Sequence, residues 1–105
     1  MIHVNELTDV EMNRAMLWLY PQKGISAVFN YEQGTYYNAG TGRVYKWLGD
    51  WGLTIPLAVE NDLRIIFCKN GLTAVYSRVG CAYGENQNPL RAICEVLVQI
   101  KLEQR

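Results

Sequence analysis

The dipeptide Asn70-Gly71 constrains this chain more than any other feature. It stands between two β-rich runs, residues 63–68 (LRIIFC) and 72–78 (LTAVYSR). Asn-Gly in that setting is the strongest short-range hairpin signal, because a type I′ turn needs φ > 0 at both central residues. A two-residue turn at 70–71 predicts a register in which Phe67 faces Ala74, Ile66 faces Val75 and Ile65 faces Tyr76. Apolar side chains then fall on both faces of the hairpin, so both faces are expected to be covered.

Helices are the natural cover. Thr8-Asp9-Val10-Glu11 reads as a capping box, with Leu7 and Met12 placed as a hydrophobic staple. Met12, Ala15, Met16 and Leu19 then form one apolar stripe at helical spacing, and Pro21 stops the helix near Leu19 or Tyr20. At the other end, Asn88 is an N-cap and Pro89 an N1 residue. Leu90, Ile93, Cys94, Leu97 and Ile100 continue at i, i+3, i+4 spacing, giving a helix from about residue 89 to 103. A third, short helix is predicted with Thr54 as N-cap, Pro56 in its first turn and Asn61 in the left-handed conformation at its end.

Between the first two helices, residues 25–31 (ISAVFNY) are rich in β-formers and predict a strand. A loop around Gly34, a short strand over residues 35–38 and a turn at Gly40–Gly42 follow. Residues 79–87, which carry Gly80, Gly84 and Asn86, read as loop. The order is α-β-β-α-β-β-α, which makes an α+β fold: a small single domain, 1–105, with an antiparallel sheet and helices packed on one face. Half of the 105 residues are apolar and 19% charged, enough for a core without staples.

Charge excludes some partners. Ten basic residues balance ten acidic ones without clustering, so the basic footprint for phosphate-backbone binding is missing and nucleic acid is not an expected partner. No apolar run reaches the roughly 20 residues a membrane helix needs, and the first residues lack the pattern of a signal peptide. Cys68, Cys81 and Cys94 are widely spaced, form no CxxC, and read as free thiols of a cytoplasmic protein.

Catalytic chemistry finds little footing. The single histidine, His3, lies far in sequence from every cysteine, and the carboxylates near helix ends are accounted for by capping and dipole effects. Gly40-Thr41-Gly42 lacks the rest of a phosphate-cradle pattern. No metal ligands stand at recognisable spacing, so no metal or cofactor is expected. Binding has better support. Tyr36, Tyr37, Tyr45, Trp47 and Trp51 fall within sixteen residues, with Asp50 among them as an acceptor. Aromatic faces of this kind suit stacking on a planar ligand or anchoring a protein partner. The start of the last helix adds free amides, with Asn88 and Arg91 there to meet an anionic group. The candidate ligand-binding set is therefore Tyr45, Trp47, Asp50, Trp51, Asn88 and Arg91. The competing reading has Trp47 and Trp51 plugging the core and Asp50 capping a turn, which large aromatics more often do.

Asp50-Trp51, Pro56-Leu57 and the run Asn88-Pro89-Leu90-Arg91-Ala92-Ile93, together with the ELTD helix start, resemble the NinX-like family of small phage and prophage proteins. That family has an aspartate–tryptophan pair ahead of a proline-containing helix and a Pro-Leu-x-Ala helix start. This chain departs from it at Gly49, where a serine or threonine is usual, and at Ile55, where a glycine precedes the proline. Polar roles at those two positions are not carried over. The resemblance implies an accessory gene product of unassigned function in the cytoplasm of a bacterial host.

Two functions follow as expectations. One is a non-catalytic accessory protein that holds or sequesters a small anionic or nucleotide-like ligand, such as a host immune signal. The other is an interaction module that binds and modulates a host protein. Small domains often complete a pocket across a two-fold interface, so a homo-oligomer is in view.

Overall fold

The computed structural model describes residues 3–20, 27–30, 35–38, 43–78 and 82–103. A single 3-10 turn, Val4–Glu6, leads into helix α1 (Asp9–Leu19), followed by strands β1 (Ala27–Asn30), β2 (Thr35–Asn38) and β3 (Arg43–Tyr45). Helix α2 (Trp51–Glu60), strands β4 (Leu63–Phe67), β5 (Thr73–Ser77) and β6 (Tyr83–Asn86), and helix α3 (Pro89–Glu103) complete the chain. The α+β fold and the expected order are present, with one further strand after each β pair. The six strands form two antiparallel sheets, β1-β2-β3 and β4-β5-β6. The turns expected at Gly34 and Gly40–Gly42 lie outside the described residues, as does Cys81.

Helix α1 starts as its capping box dictates. The Thr8 hydroxyl accepts from the Glu11 amide at 3.1 Å, and the Glu11 carboxylate accepts from the Thr8 amide at 2.9 Å. Hydrogen bonds from the Thr8 backbone amide and then its side chain hold the Glu11 carboxyl below its ordinary range. Met12, Met16 and Leu17 are buried and Ala15 and Leu19 half-buried, so the apolar stripe faces the core.

Helix α3 is the centre of the molecule. Every residue from Leu90 to Val98 is buried, including Arg91 and Glu95. The 3-10 turn, α1, α2, β5 and β6 all pack against it. That is more cover than one apolar stripe asks for, and it takes in the two charged side chains as well.

Several local expectations need correction. The hairpin closes through a three-residue loop, 69–71: Cys68 N donates to Leu72 O at 2.9 Å and Gly71 N to Cys68 O at 3.2 Å. Gly71 has φ +87, whereas Asn70 stays out of the positive-φ region that a type I′ turn demands. The Asn70 side chain instead accepts from Leu72 N at 3.1 Å. This type I turn with a glycine bulge shifts the register by one, pairing Ile65 with Val75, Ile66 with Ala74 and Phe67 with Thr73. Nor is the hairpin covered on both faces, because no residue of β4 is buried.

Helix α2 begins one turn early. Asp50, not Thr54, is the N-cap, its carboxylate accepting from Leu53 N at 3.2 Å. The Thr54 hydroxyl is buried and donates to Trp47 O at 2.6 Å. Pro56 is thus interior and denies Gly52 O its helical donor; Gly52 is exposed, so water can take that carbonyl. At the far end Asp62 adopts the left-handed conformation, with φ 53, while Asn61 has φ −96.

Residues 83–86 are a strand rather than loop. Gly84 pairs with Val75, and a Cβ at Gly84 would sit 2.6 Å from Ala92 O and 3.1 Å from Glu95 Cβ. The glycine lets α3 lie directly on the β6 backbone, a tertiary cause that β-propensity does not register.

Candidate functional site

The segment from Lys46 to α2 and the start of α3 meet, as their chemistry suggested. Asn88 Nδ2 donates to Leu48 O at 3.2 Å, and Asn13 Oδ1 on α1 accepts from Leu48 N at 3.3 Å. Two helices therefore pin the peptide groups of Leu48, and Asn88 Oδ1 still caps α3 through Leu90 N at 3.0 Å. Beside this junction lies a concavity of about 550 Å³, lined among others by Asp9, Asn13, Lys46, Gly49 and Asn88.

The six sequence-predicted residues separate into different roles. Trp47 is fully buried, and its indole Nε1 has no acceptor among the described residues. It is a core side chain and offers no face to a ligand. Asp50 spends one carboxylate oxygen on capping α2. Tyr45 occupies the last position of β3, opposite Tyr36. Asn88 rims the concavity. Trp51, at the first helical position of α2, is 47% exposed.

Arg91 is turned away from solvent rather than offered to a ligand. Its guanidinium is buried and donates to Leu7 O, to Val4 O at 3.4 Å and to Asp9 Oδ1 at 3.1 Å. Glu95 Oε1 lies 4.0 Å from Arg91 Nε, and Glu95 Oε2 has no hydrogen-bond partner among the described residues. Burial raises the Glu95 carboxyl above its ordinary value, with Arg91 opposing in part. Arg91 thus ties the start of the chain to α3, a fold-holding task.

Burial mutes two further groups, Cys94 and Tyr20. Burial pushes the Cys94 thiol up to about 12, so it is not a thiolate at neutral pH. The Tyr20 hydroxyl donates to Leu97 O at 2.7 Å and is likewise raised to about 12, chiefly by burial. Cys68 and Cys94 are free thiols, the first exposed and the second buried. Among the described residues no three His, Cys, Asp or Glu side chains gather to hold a metal ion, and no helix is long and apolar enough to cross a membrane.

What the sequence reading missed is the rest of the face that carries Trp51. Residues 51, 55 and 59 recur at four-residue spacing, and Val59 is 74% exposed. Ile55 between them is half-buried and Pro56 exposed. The outward side of α2 therefore runs Trp51, Ile55, Pro56, Val59, with Glu60 charged only at its end. Asp50 as N-cap is the signal that could have found it, since capping at 50 lengthens the helix and sets this phase.

No protein family, characterised protein or solved structure matches this chain.

Proposed function

We propose that this protein is a non-catalytic accessory binding protein that docks on a partner protein through the outer face of α2. The observation that carries this reading is the outer face of α2, where Trp51, Pro56 and Val59 are exposed beside the half-buried Ile55. A surface helix ordinarily turns polar residues outward, and an exposed apolar helical face is the surface that grooves on partner proteins receive. A half-exposed tryptophan at its start is the residue type that most often dominates binding energy.

The motif resemblance sets the biological context: a phage or prophage product of the NinX-like kind, acting in the cytoplasm of a bacterial host on a host protein. The residues of that motif build the proposed face and its cap, with Asp50 capping α2 and Trp51 and Pro56 within it. The test is site-specific photo-crosslinking from position 55 in host cells, repeated with Trp51→Ala and Val59→Asp. Either substitution should abolish the cross-linked species, whereas Val10→Asp on α1 should leave it intact. Cross-links that survive both α2 substitutions would exclude this face.

A second reading keeps the small anionic or nucleotide-like ligand and rests on the concavity beside Leu48, where Lys46 supplies a cation next to the starts of three helices. Trp47 and Arg91 have no part in it. Thermal-shift screening with mono-, di- and cyclic nucleotides, with Lys46→Ala as control, decides this alternative. A ligand that stabilises both proteins equally would not be bound there.

A further inference from the structure

The two edges of the β4-β5-β6 sheet are finished differently. On β6, Ser77 N bonds Ala82 O, a phase that turns the peptide groups of Tyr83 outward. Gln99 from α3 takes both: its Oε1 accepts from Tyr83 N at 3.2 Å and its Nε2 donates to Tyr83 O at 2.6 Å. At Tyr83 this edge is capped by a side chain.

Among the described residues the β4 edge has no such cover. Cys68 N bonds Leu72 O, so alternation gives residues 64 and 66 to β5 and points the N–H and C=O groups of 63, 65 and 67 away from it. Among the described residues nothing accepts from or donates to those groups. The pairing with β5 is unbroken, with no bulge and no proline to blunt the edge. Four of the five residues are apolar, yet Ile66 is 47% and Phe67 67% exposed. Leu63 and Ile65 are half-buried, because α3 lies against β5 and β6.

We propose that two copies of this chain pair through β4, joining their sheets into one six-stranded antiparallel sheet about a two-fold axis at Ile65. A second copy is the occupant because the strand is complementary to itself. With Ile65 opposite Ile65 of the second copy, residue 63 meets residue 67 and each outward-pointing group finds its counterpart in phase. Arg64 then faces the second copy's Ile66, so the two guanidiniums do not oppose each other. A two-fold axis normal to the sheet keeps Leu63, Ile65 and Phe67 of both copies on the face that carries α3. The half-covered apolar strip becomes a continuous one between two α3 helices. Zero formal net charge leaves no long-range repulsion between copies.

Light scattering on a size-exclusion column should give twice the 12.0 kDa chain mass. Amide exchange should slow with protein concentration at Leu63, Ile65 and Phe67, and stay constant at Arg64 and Ile66. Ile65→Lys sets two ammonium groups opposite each other and should raise the monomer–dimer midpoint by about tenfold or more. Phe67→Lys should do the same from a well-exposed position, which removes misfolding as an explanation. In a Cys68→Ser background, Ile65→Cys should form a 65-to-65 disulfide on mild oxidation, since opposed hydrogen-bonded residues stand about 5.5 Å apart at Cα. Ile66→Cys should not link to itself. A monomer at all concentrations up to about 1 mM, where even weak association registers, would overturn the proposal. So would a dimer indifferent to both lysines and lacking the 65-to-65 bond.

Discussion

Arg91 decides between two uses of the α3 start, and replacing it measures which one holds. Arg91→Met keeps the aliphatic stem and removes the guanidinium. Two carbonyls, Val4 O and Leu7 O, lose a charged donor, and each such bond contributes about 1.5–3 kcal/mol. The Asp9 arm adds little, because that carboxylate is well exposed and the pair is screened. Glu95 loses its nearest countercharge while remaining buried. Breaking a buried pair by removing one partner costs about 3–5 kcal/mol, and these contributions overlap rather than sum, so about 3–5 kcal/mol is expected in total. A domain of this size is stable by about 5–15 kcal/mol, so the variant should sit near the edge of folding.

Urea unfolding followed by circular dichroism reads this directly, as a midpoint lowered by about 2–3 M for a slope near 1.5 kcal/mol per M. Arg91→Lys should recover only part of the loss, because an ammonium cannot reach three acceptors in the guanidinium geometry. Arg91→Met combined with Glu95→Gln should be more stable than Arg91→Met alone, since the stranded carboxylate is gone. A loss below about 1 kcal/mol for Arg91→Met would refute the structural assignment, because only a solvent-facing arginine can be removed so cheaply. A double variant no better than the single would refute the coupling to Glu95.

Three further outcomes are expected. Glu95 has a folded pKa raised above its unfolded value of 4.5, so the stability it contributes is full below that value and is lost as the pH rises through the folded one. Glu95→Gln should therefore gain on the native chain between about pH 4 and neutrality in urea titrations, and a constant difference would count against the shift. Gly84→Ala should cost about 1–3 kcal/mol by thermal unfolding, since its methyl meets Ala92 O at 2.6 Å; a neutral result would mean that α3 can move off β6. Under native conditions maleimide should label Cys68 and spare Cys94 in peptide mapping, with Cys94 reacting only after unfolding.

Local chemistry made the helix starts legible: Thr8 and Glu11 satisfy each other's amides, and Asn88 accepts from Leu90 N beside a proline that has no amide to satisfy, so no distant contact had to be known. The apolar stripes of α1 and α3 were legible for the same reason. Features that depend on tertiary partners were not. Gly84 reads as a loop residue until α3 is placed on it, and Arg91 reads as a helix-end cation until Val4 and Leu7 are seen folding back over it. At 70–71 the dipeptide allows two turns, and the Asn70 side chain bond to Leu72 N accompanies the one that shifts the register.

That one-residue shift reaches the surface. It sets Ile65 beside Val75 and Phe67 beside Thr73, on the face that α3 covers only as far as β5. It also fixes which peptide groups of β4 point outward, and hence that Ile65, rather than Ile66, would lie on a two-fold axis. Asp50 acts in parallel on α2. By capping α2 four residues before Thr54, it moves Trp51 into the helix and in line with Ile55 and Val59. Both unsatisfied surfaces, the apolar helix face and the open strand edge, are thus products of turn and cap geometry. Among the described residues no element covers either of them, which is why each is proposed as a contact with another chain.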